Sequence, residues 1–438
     1  MDGEAREVRF QDLIDEGLLH VNDGYRAKHS ELGIGGPIFL RAVHLQDGGF
    51  DFNGVQYFQD DARERVTAKM AMPGDTVVTT KGNSTGRTGY VSESMPPFVY
   101  SPHLSFWRSL DRSKLKPLFL RYWARGPEFR DQLNGLKEST DMAPYLSLTD
   151  QRRLRITLPC PTSQAAVGNL LGALDDKIEA NRALNETLEA TCQTLFRSWF
   201  VDFDPVVAKS EGRRPALLTD DVAALFPDRL EGSPLGPVPG GWRAGCVGDI
   251  ATNPRRKADP ADQAPSAPYV GLEHMPRRSI VLDVWGEAAA VTSAKWGFSS
   301  GEVLFGKLRP YFHKVGVALC DGICSTDILV VAPKNEHDFG LLLGTLSSPE
   351  FVDYADGTAG GTRQPRTSWR DMARYGVAIP PEPIRERFTG VARQVEGYFR
   401  AHAAQTRTLT TLRDALLPRL LSGEIRVRQA EKLVEEAV

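Results

Sequence analysis

The sequence predicts a mixed α+β chain in which two globular domains, related by internal duplication, are joined by two long coiled-coil helices. Three observations predict it. Matching segments recur in the same order half a chain apart, a heptad stretch follows each copy, and short β-type runs alternate with short helical ones inside the copies.

The repeats come first. RLRITLPCP (153–161) and RYGVAIPPE (374–382) place Pro159 over Pro380, 221 positions apart. GPEFRDQLNG (126–135) lies beside SPEFVDYADG (348–357), PGDTVVTTKG (73–82) beside SGEVLFGKLR (300–309), and FLRAVHL (39–45) beside YVGLEHM (269–275). Each match is weak alone, and their shared order carries the argument.

Residues 1–161 read as the first mixed domain, with a β-type run at 76–80 and a helical one at 115–125. Residues 162–204 form the first long helix: Val167, Leu171, Leu174, Ile178, Asn181, Asn185, Leu188, Cys192, Leu195 and Trp199 step by four and three, the seam of a coiled coil. Pro205 is expected to end it, and 205–241 reads as a Pro/Gly-rich linker with one short helix near 220–226. Residues 242–382 form the second mixed domain, with β-type runs at 303–305 and 328–331. In 383–423, Phe388, Val391, Val395, Tyr398, His402, Gln405, Leu409, Leu412 and Leu416 repeat the heptad until Pro418 and Gly423 stop it, and 424–438 is left as a tail. The expected interface joins Leu171, Leu174, Ile178, Leu188 and Leu195 with Val391, Val395, Leu409, Leu412 and Leu416. Lys and Arg number 3 against 7 Asp and Glu in 162–204, and 7 against 3 in 383–423, so opposite charge favours their pairing. Exposed pairs contribute only about 0–1 kcal/mol each. The alternative is two unrelated amphipathic helices, each packed on its own domain.

With 53 Lys and Arg against 56 Asp and Glu, the net charge of −3 excludes a protein held to nucleic acid by bulk charge; any such contact uses local patches. Five scattered cysteines suit a reducing compartment, and Cys320 with Cys324 falls short of the four ligands of a structural zinc site. Residues 1–10 are charged, without an apolar signal core, and no run reaches a membrane span, so a cytoplasmic protein without membrane contact is expected.

Catalytic constellations are missing. There is no G-x-x-x-x-G-K-[ST], no G-x-G-x-x-G after a strand, no H-E-x-x-H and no G-x-S-x-G. Asp175-Asp176-Lys177 mimics the D-x-K of a nuclease, but it sits inside the heptad helix and reads as a solvated face. Asn253-Pro254 is followed by Arg255, not by the proline and aromatic of an amino-methyltransferase site. What the repeats do carry is basic, Gly-rich loops. TTKGNSTGRTG (79–89) offers Lys81, Asn83, Ser84 and Arg87; FGKLRPYFHK (305–314) offers Lys307, Arg309, Tyr311 and Lys314; GTAGGTRQPRTSWR (357–370) offers Thr362, Arg363, Gln364 and Arg366. Lys and Arg can neutralise phosphates, while Arg and Gln can make bidentate contacts to guanine and adenine edges. These twelve residues are the candidate DNA contacts.

Residues 173–206, ALDDKIEANRALNETLEATCQTLFRSWFVDFDPV, closely resemble the central region of the DNA-specificity subunit of type I restriction-modification systems. The resemblance continues through LFPDRLEGSPLGPVPGGW (225–242), GEVLFGKLRPYFHKV (301–315), CSTDILVV (324–331), IPPEPIRERF (379–388) and LLPRLLSGEIRV (416–427), with 1–161 more divergent. It implies two target-recognition domains, each reading one half of a bipartite double-stranded DNA site and held apart by the two helices as an antiparallel coiled-coil pair. It also implies docking to two methyltransferase subunits and to restriction/translocase subunits. Those partners would bind S-adenosylmethionine, ATP and Mg and perform the chemistry, leaving this chain without cofactor, metal or catalytic residues. A specificity chain of a methylation-only or related methyltransferase-nuclease system would read much the same. A duplicated coiled-coil scaffold that binds proteins is the alternative from a different class.

Overall fold

The computed structural model describes residues 5–46, 49–138, 144–361 and 363–437. It divides into two compact units, 1–178 with 408–438, and 179–407.

In the first unit a four-stranded sheet runs in the order Leu19–Asp23, Leu104–Ser109, Thr76–Thr79, Thr88–Tyr90. A three-stranded sheet pairs Leu32–Leu40 with Gln56–Phe58 and, in parallel, with Phe98–Tyr100. The main core stacks Trp107 edge-on to Phe10 and Phe129, with ring centroids 5.0 and 5.3 Å apart. The indole Nε1 of Trp107 donates to the buried Gln151 amide oxygen at 2.8 Å, so the ring enters the core without stranding its polar atom.

The second unit holds two five-stranded sheets. One runs Ala251–Thr252, Ile328–Pro333, Val303–Gly306, Val315–Ala318, Val281–Leu282, and the other Arg256–Ala258, Lys295–Phe298, Gly322–Cys324, Pro268–Val270, Gly286–Glu287. The aligned segments of the two units fold alike. Met72 N–H donates to Asp75 and Gly74 N–H to the Val91 carbonyl; in the second unit Ser299 N–H donates to Glu302 and Gly301 N–H to the Ala318 carbonyl. Asp75 and Glu302 are both buried and both paired with arginine, Arg108 in the first unit and Arg256 in the second.

The two long helices, Pro161–Phe200 and Glu382–Leu421, are each 40 residues long, and both cross from one unit into the other. In the first unit Leu171, Leu174 and Ile178 are buried in the same core as Leu409 and Leu416, with Leu412 half-buried beside them. In the second, Asn181 Nδ2 donates to Gln405 Oε1 at 2.9 Å and His402 Nδ1 lies 2.7 Å from Asn185 Oδ1, an antiparallel register. Buried Asn pairs of this kind fix register at some cost in stability.

Several sequence expectations need correction. The first helix stops at Phe200; Pro205 instead sits in the first turn of a new helix, Asp204–Ser210, where its missing N–H costs nothing. The expected linker is folded onto the second unit: besides the helix Asp220–Ala224 it forms a hairpin, Leu230–Ser233 with Gly236–Pro239, and buries Val206, Phe226 and Val238. The tail carries a helix, Val427–Ala437, that seats Ala430 in the first core. Asp175 is no solvated face. Its carboxylate is 10% exposed and accepts from Arg121 at 2.7 Å, Arg125 at 2.8 Å, Tyr122 at 2.8 Å and Arg413 at 2.7 Å.

Candidate nucleic-acid interface

The loop after the strand Val303–Gly306 is clamped to the segment 360–367. Lys307 N–H donates to the Asp327 carbonyl at 2.9 Å, Arg309 N–H to the Pro365 carbonyl at 2.8 Å, and Thr367 N–H to the Lys307 carbonyl at 3.1 Å. Arg366 reaches Asp327 at 3.2 Å. The clamp brings the loop carrying Lys307 and Arg309 beside Arg363 and Arg366, although the sequence separates them by about 50 positions. Arg363, Gln364, Arg366 and Tyr311 are exposed there. Arg309 takes a left-handed φ of 51°, unfavourable for a residue with a Cβ, so the clamp holds strained backbone.

The first unit repeats the clamp bond for bond. Thr80 N–H donates to the His103 carbonyl at 2.9 Å, Gly82 N–H to the Pro144 carbonyl at 3.1 Å, and Leu146 N–H to the Thr80 carbonyl at 2.8 Å. Lys81 bridges to Tyr145 as Leu308 bridges to Arg366. Lys81 and Asn83 are exposed, Ser84 half-exposed.

Two of the expected contacts also donate to backbone carbonyls. Lys314 is half-buried, its Nζ donating to the Leu272 carbonyl, and burial together with Arg277 lowers its pKa. Arg87 Nη1 donates to the Leu45 carbonyl at 2.9 Å. Thr362 lies outside the described residues.

Sequence reasoning missed three exposed arginines at the same loops, Arg255, Arg277 and Arg278. Arg277 stacks on the Phe312 ring at 4.2 Å, and Arg278, with a φ of 56°, donates its N–H to the His313 carbonyl at 2.9 Å. The only sequence signal was the Arg-Arg pair itself, because its nearness to 309–314 is a tertiary fact.

This arginine loop also ties the face to the first long helix. Ser279 Oγ donates to Glu189 Oε2 and Ile280 N–H to Glu189 Oε1, both at 2.8 Å. Burial pushes the Glu189 carboxyl up from its ordinary range, and these hydrogen bonds pull it back only in part. A carboxyl raised in the folded state adds stability below its unfolded value, which is lost as pH rises through the folded value. Glu189→Gln should therefore flatten the pH dependence above about pH 4.5 while an amide oxygen still accepts from Ile280. Glu189→Ala strands that buried N–H and should cost about 1–3 kcal/mol. Denaturant melts between pH 4 and 8 check both.

Among the described residues, no group of three or more His, Cys, Asp or Glu could hold a metal ion, and no helix is long and apolar enough to cross a membrane. No protein-family model matches the chain. It is 26% identical over 302 residues to the specificity subunit of the type I restriction enzyme EcoDI of Escherichia coli, covering 65% of this chain and 63% of that subunit. The chain is similar to type I specificity subunits. The HindI specificity subunit of Haemophilus influenzae is 24% identical over 330 residues, with 64% of this chain and 71% of that one covered. The S subunit of a type I restriction-modification system from M. genitalium shares the fold, with a TM-score of 0.54 at 12% identity over 95% of this chain and 96% of that one. The match spans less than two thirds of the EcoDI subunit.

Proposed function

We propose that the chain is the non-catalytic DNA-recognition subunit of a type I restriction-modification complex. It reads one half of a bipartite double-stranded site with each unit and docks methyltransferase and restriction subunits that carry S-adenosylmethionine, ATP and Mg. The recurrence of one loop clamp in both units supports this reading best, since each clamp displays basic and amide side chains on ordered backbone. The two sequences displayed differ, Lys81, Asn83 and Tyr145 against Arg309, Arg363, Gln364 and Arg366, as an asymmetric site requires. Mixing the purified chain with its methyltransferase should produce sequence-specific adenine methylation, read by methylome sequencing. Methyl transfer by the chain alone would overturn the reading.

The side chains divide by role. Replacing a base-reading Arg363 or Arg366 with Ala should cost about 1–3 kcal/mol of binding and relax one position of one half-site. Lys81→Ala should weaken all sequences alike and lower the salt slope by about 1, because one fewer phosphate is neutralised. Anisotropy titrations at several salt concentrations separate these outcomes. A duplicated protein-binding scaffold would show no salt-dependent duplex affinity at all.

A further inference from the structure

Beside the clamp of the second unit lies a cavity of about 250 Å³, lined by Asn253, Arg255, Trp296, Lys307 and the strand stretch 328–330. Its walls are the indole of Trp296 and the apolar Ile328, Leu329 and Val330. No carboxylate lines it, so neither cation is matched there. Both polar ends of Asn253 are committed: Nδ2 donates to the Val330 carbonyl at 2.6 Å and Oδ1 accepts from Arg255 Nε at 3.0 Å. Arg255 is thus steered by Asn253 from a left-handed backbone with a φ of 47°. Strain of that kind persists only where surrounding structure enforces it, and it clusters at binding sites.

An aromatic wall, an apolar floor and two cations without a facing acid are the complement of a nucleotide: a flat base and a charged phosphate. We propose that this cavity is a nucleotide subsite, in which a base rests against Trp296 and Lys307 with Arg255 holds its phosphate. Because Lys307 belongs to the clamped loop, the nucleotide is one displaced from the DNA stack next to the second half-site; this step rests on the DNA reading above. The clamp bonds align Lys307 with Thr80, a buried threonine, so the two half-sites would be handled differently.

The full chain is titrated with a fully paired duplex, with the same duplex carrying one unpaired nucleotide, and with free dAMP. The unpaired nucleotide is expected to tighten binding about tenfold, a single base–aromatic stack. Trp296→Ala should remove that gain while paired-duplex binding persists, and Arg255→Gly should remove the gain whatever it does to the paired duplex. Arg255→Gly guards against misfolding, since glycine accepts the left-handed φ. Paired-duplex binding with no gain, or a gain that survives both substitutions, overturns the displaced-base assignment. Binding of dAMP lost in both variants, without a gain on duplex, supports the subsite with a free nucleotide as its source. If no duplex binds, the DNA reading fails and dAMP alone decides: binding lost in both variants supports the subsite, and no binding overturns it.

Discussion

Asp175→Ala is expected to destabilise the first unit by about 3–5 kcal/mol, because it removes one partner of a buried ion cluster and leaves the others charged. Arg121, Arg125 and Arg413 converge on this carboxylate with side chains only 22, 26 and 14% exposed, so water does little to replace it. Arg121 and Arg125 flank Trp123, in and just after the helix Pro117–Trp123, while Arg413 comes from the second long helix. One carboxylate thus joins three segments of the first unit. Asp175→Asn keeps the shape but not the charge and should move in the same direction. Asp176→Asn, one position along on the exposed face, should stay within about 0.5 kcal/mol of wild type. Near-ultraviolet dichroism of the buried Trp107 and Trp123 follows the loss. The pH dependence has a definite sign. Burial alone would raise the Asp175 carboxyl, but Arg125 and Arg121, with hydrogen bonds from Arg413 and Tyr122, outweigh it and hold the pKa below its ordinary 3.8. A depressed carboxyl adds stability above its unfolded value and loses it as pH falls through the folded one, so the wild-type advantage over Asp175→Asn should shrink below about pH 4. An unchanged difference at pH 3 would count against the cluster.

The duplication, the two long helices and the basic loops were legible in the sequence because each leaves a local trace: matching segments, a repeating apolar step, glycines beside cations. The role of Asp175 left none. Its three arginines lie 50 to 54 positions before it and 238 after it, and nothing in the pair Asp175-Asp176 tells which carboxylate is enclosed. The same limit hid Arg255, Arg277 and Arg278, and with them the bond from the Lys314 amine to the Leu272 carbonyl. In 205–241, proline and glycine were read as breaking structure, whereas Pro205 begins a helix and Gly236 turns a hairpin at a φ of 93°. Composition told where the chain turns, and only packing told that Val206, Phe226 and Val238 are buried between the turns.

The second long helix shows how far a heptad can be trusted, and it yields the other large expected effect. A coiled-coil seam through Phe388, Val391, Val395, Tyr398 and His402 would bury Tyr398 and leave Phe399 outside. The structure does the reverse. Phe399 is fully buried and Tyr398 is 47% exposed, because the helix packs on its globular unit as well as on its partner helix. The deep face runs Ile384, Phe388, Ala392, Phe399, Ala403, with steps that follow the unit's own core, and Phe388 meets Phe200 edge-on at 4.9 Å. The heptad positions Val391 and Val395 lie half-buried beside it, as do Leu188 and Leu195 on the first helix. Phe399→Ala empties a filled core site and should cost about 3–5 kcal/mol of the second unit's stability. Tyr398→Ala should cost less than about 1 kcal/mol, chiefly its stacking on His402 at 6.1 Å. The contrast decides which register the helix keeps in solution. A heptad seam requires the larger loss at Tyr398, whereas docking on the globular core requires it at Phe399, and denaturant midpoints of the two variants measured side by side distinguish them.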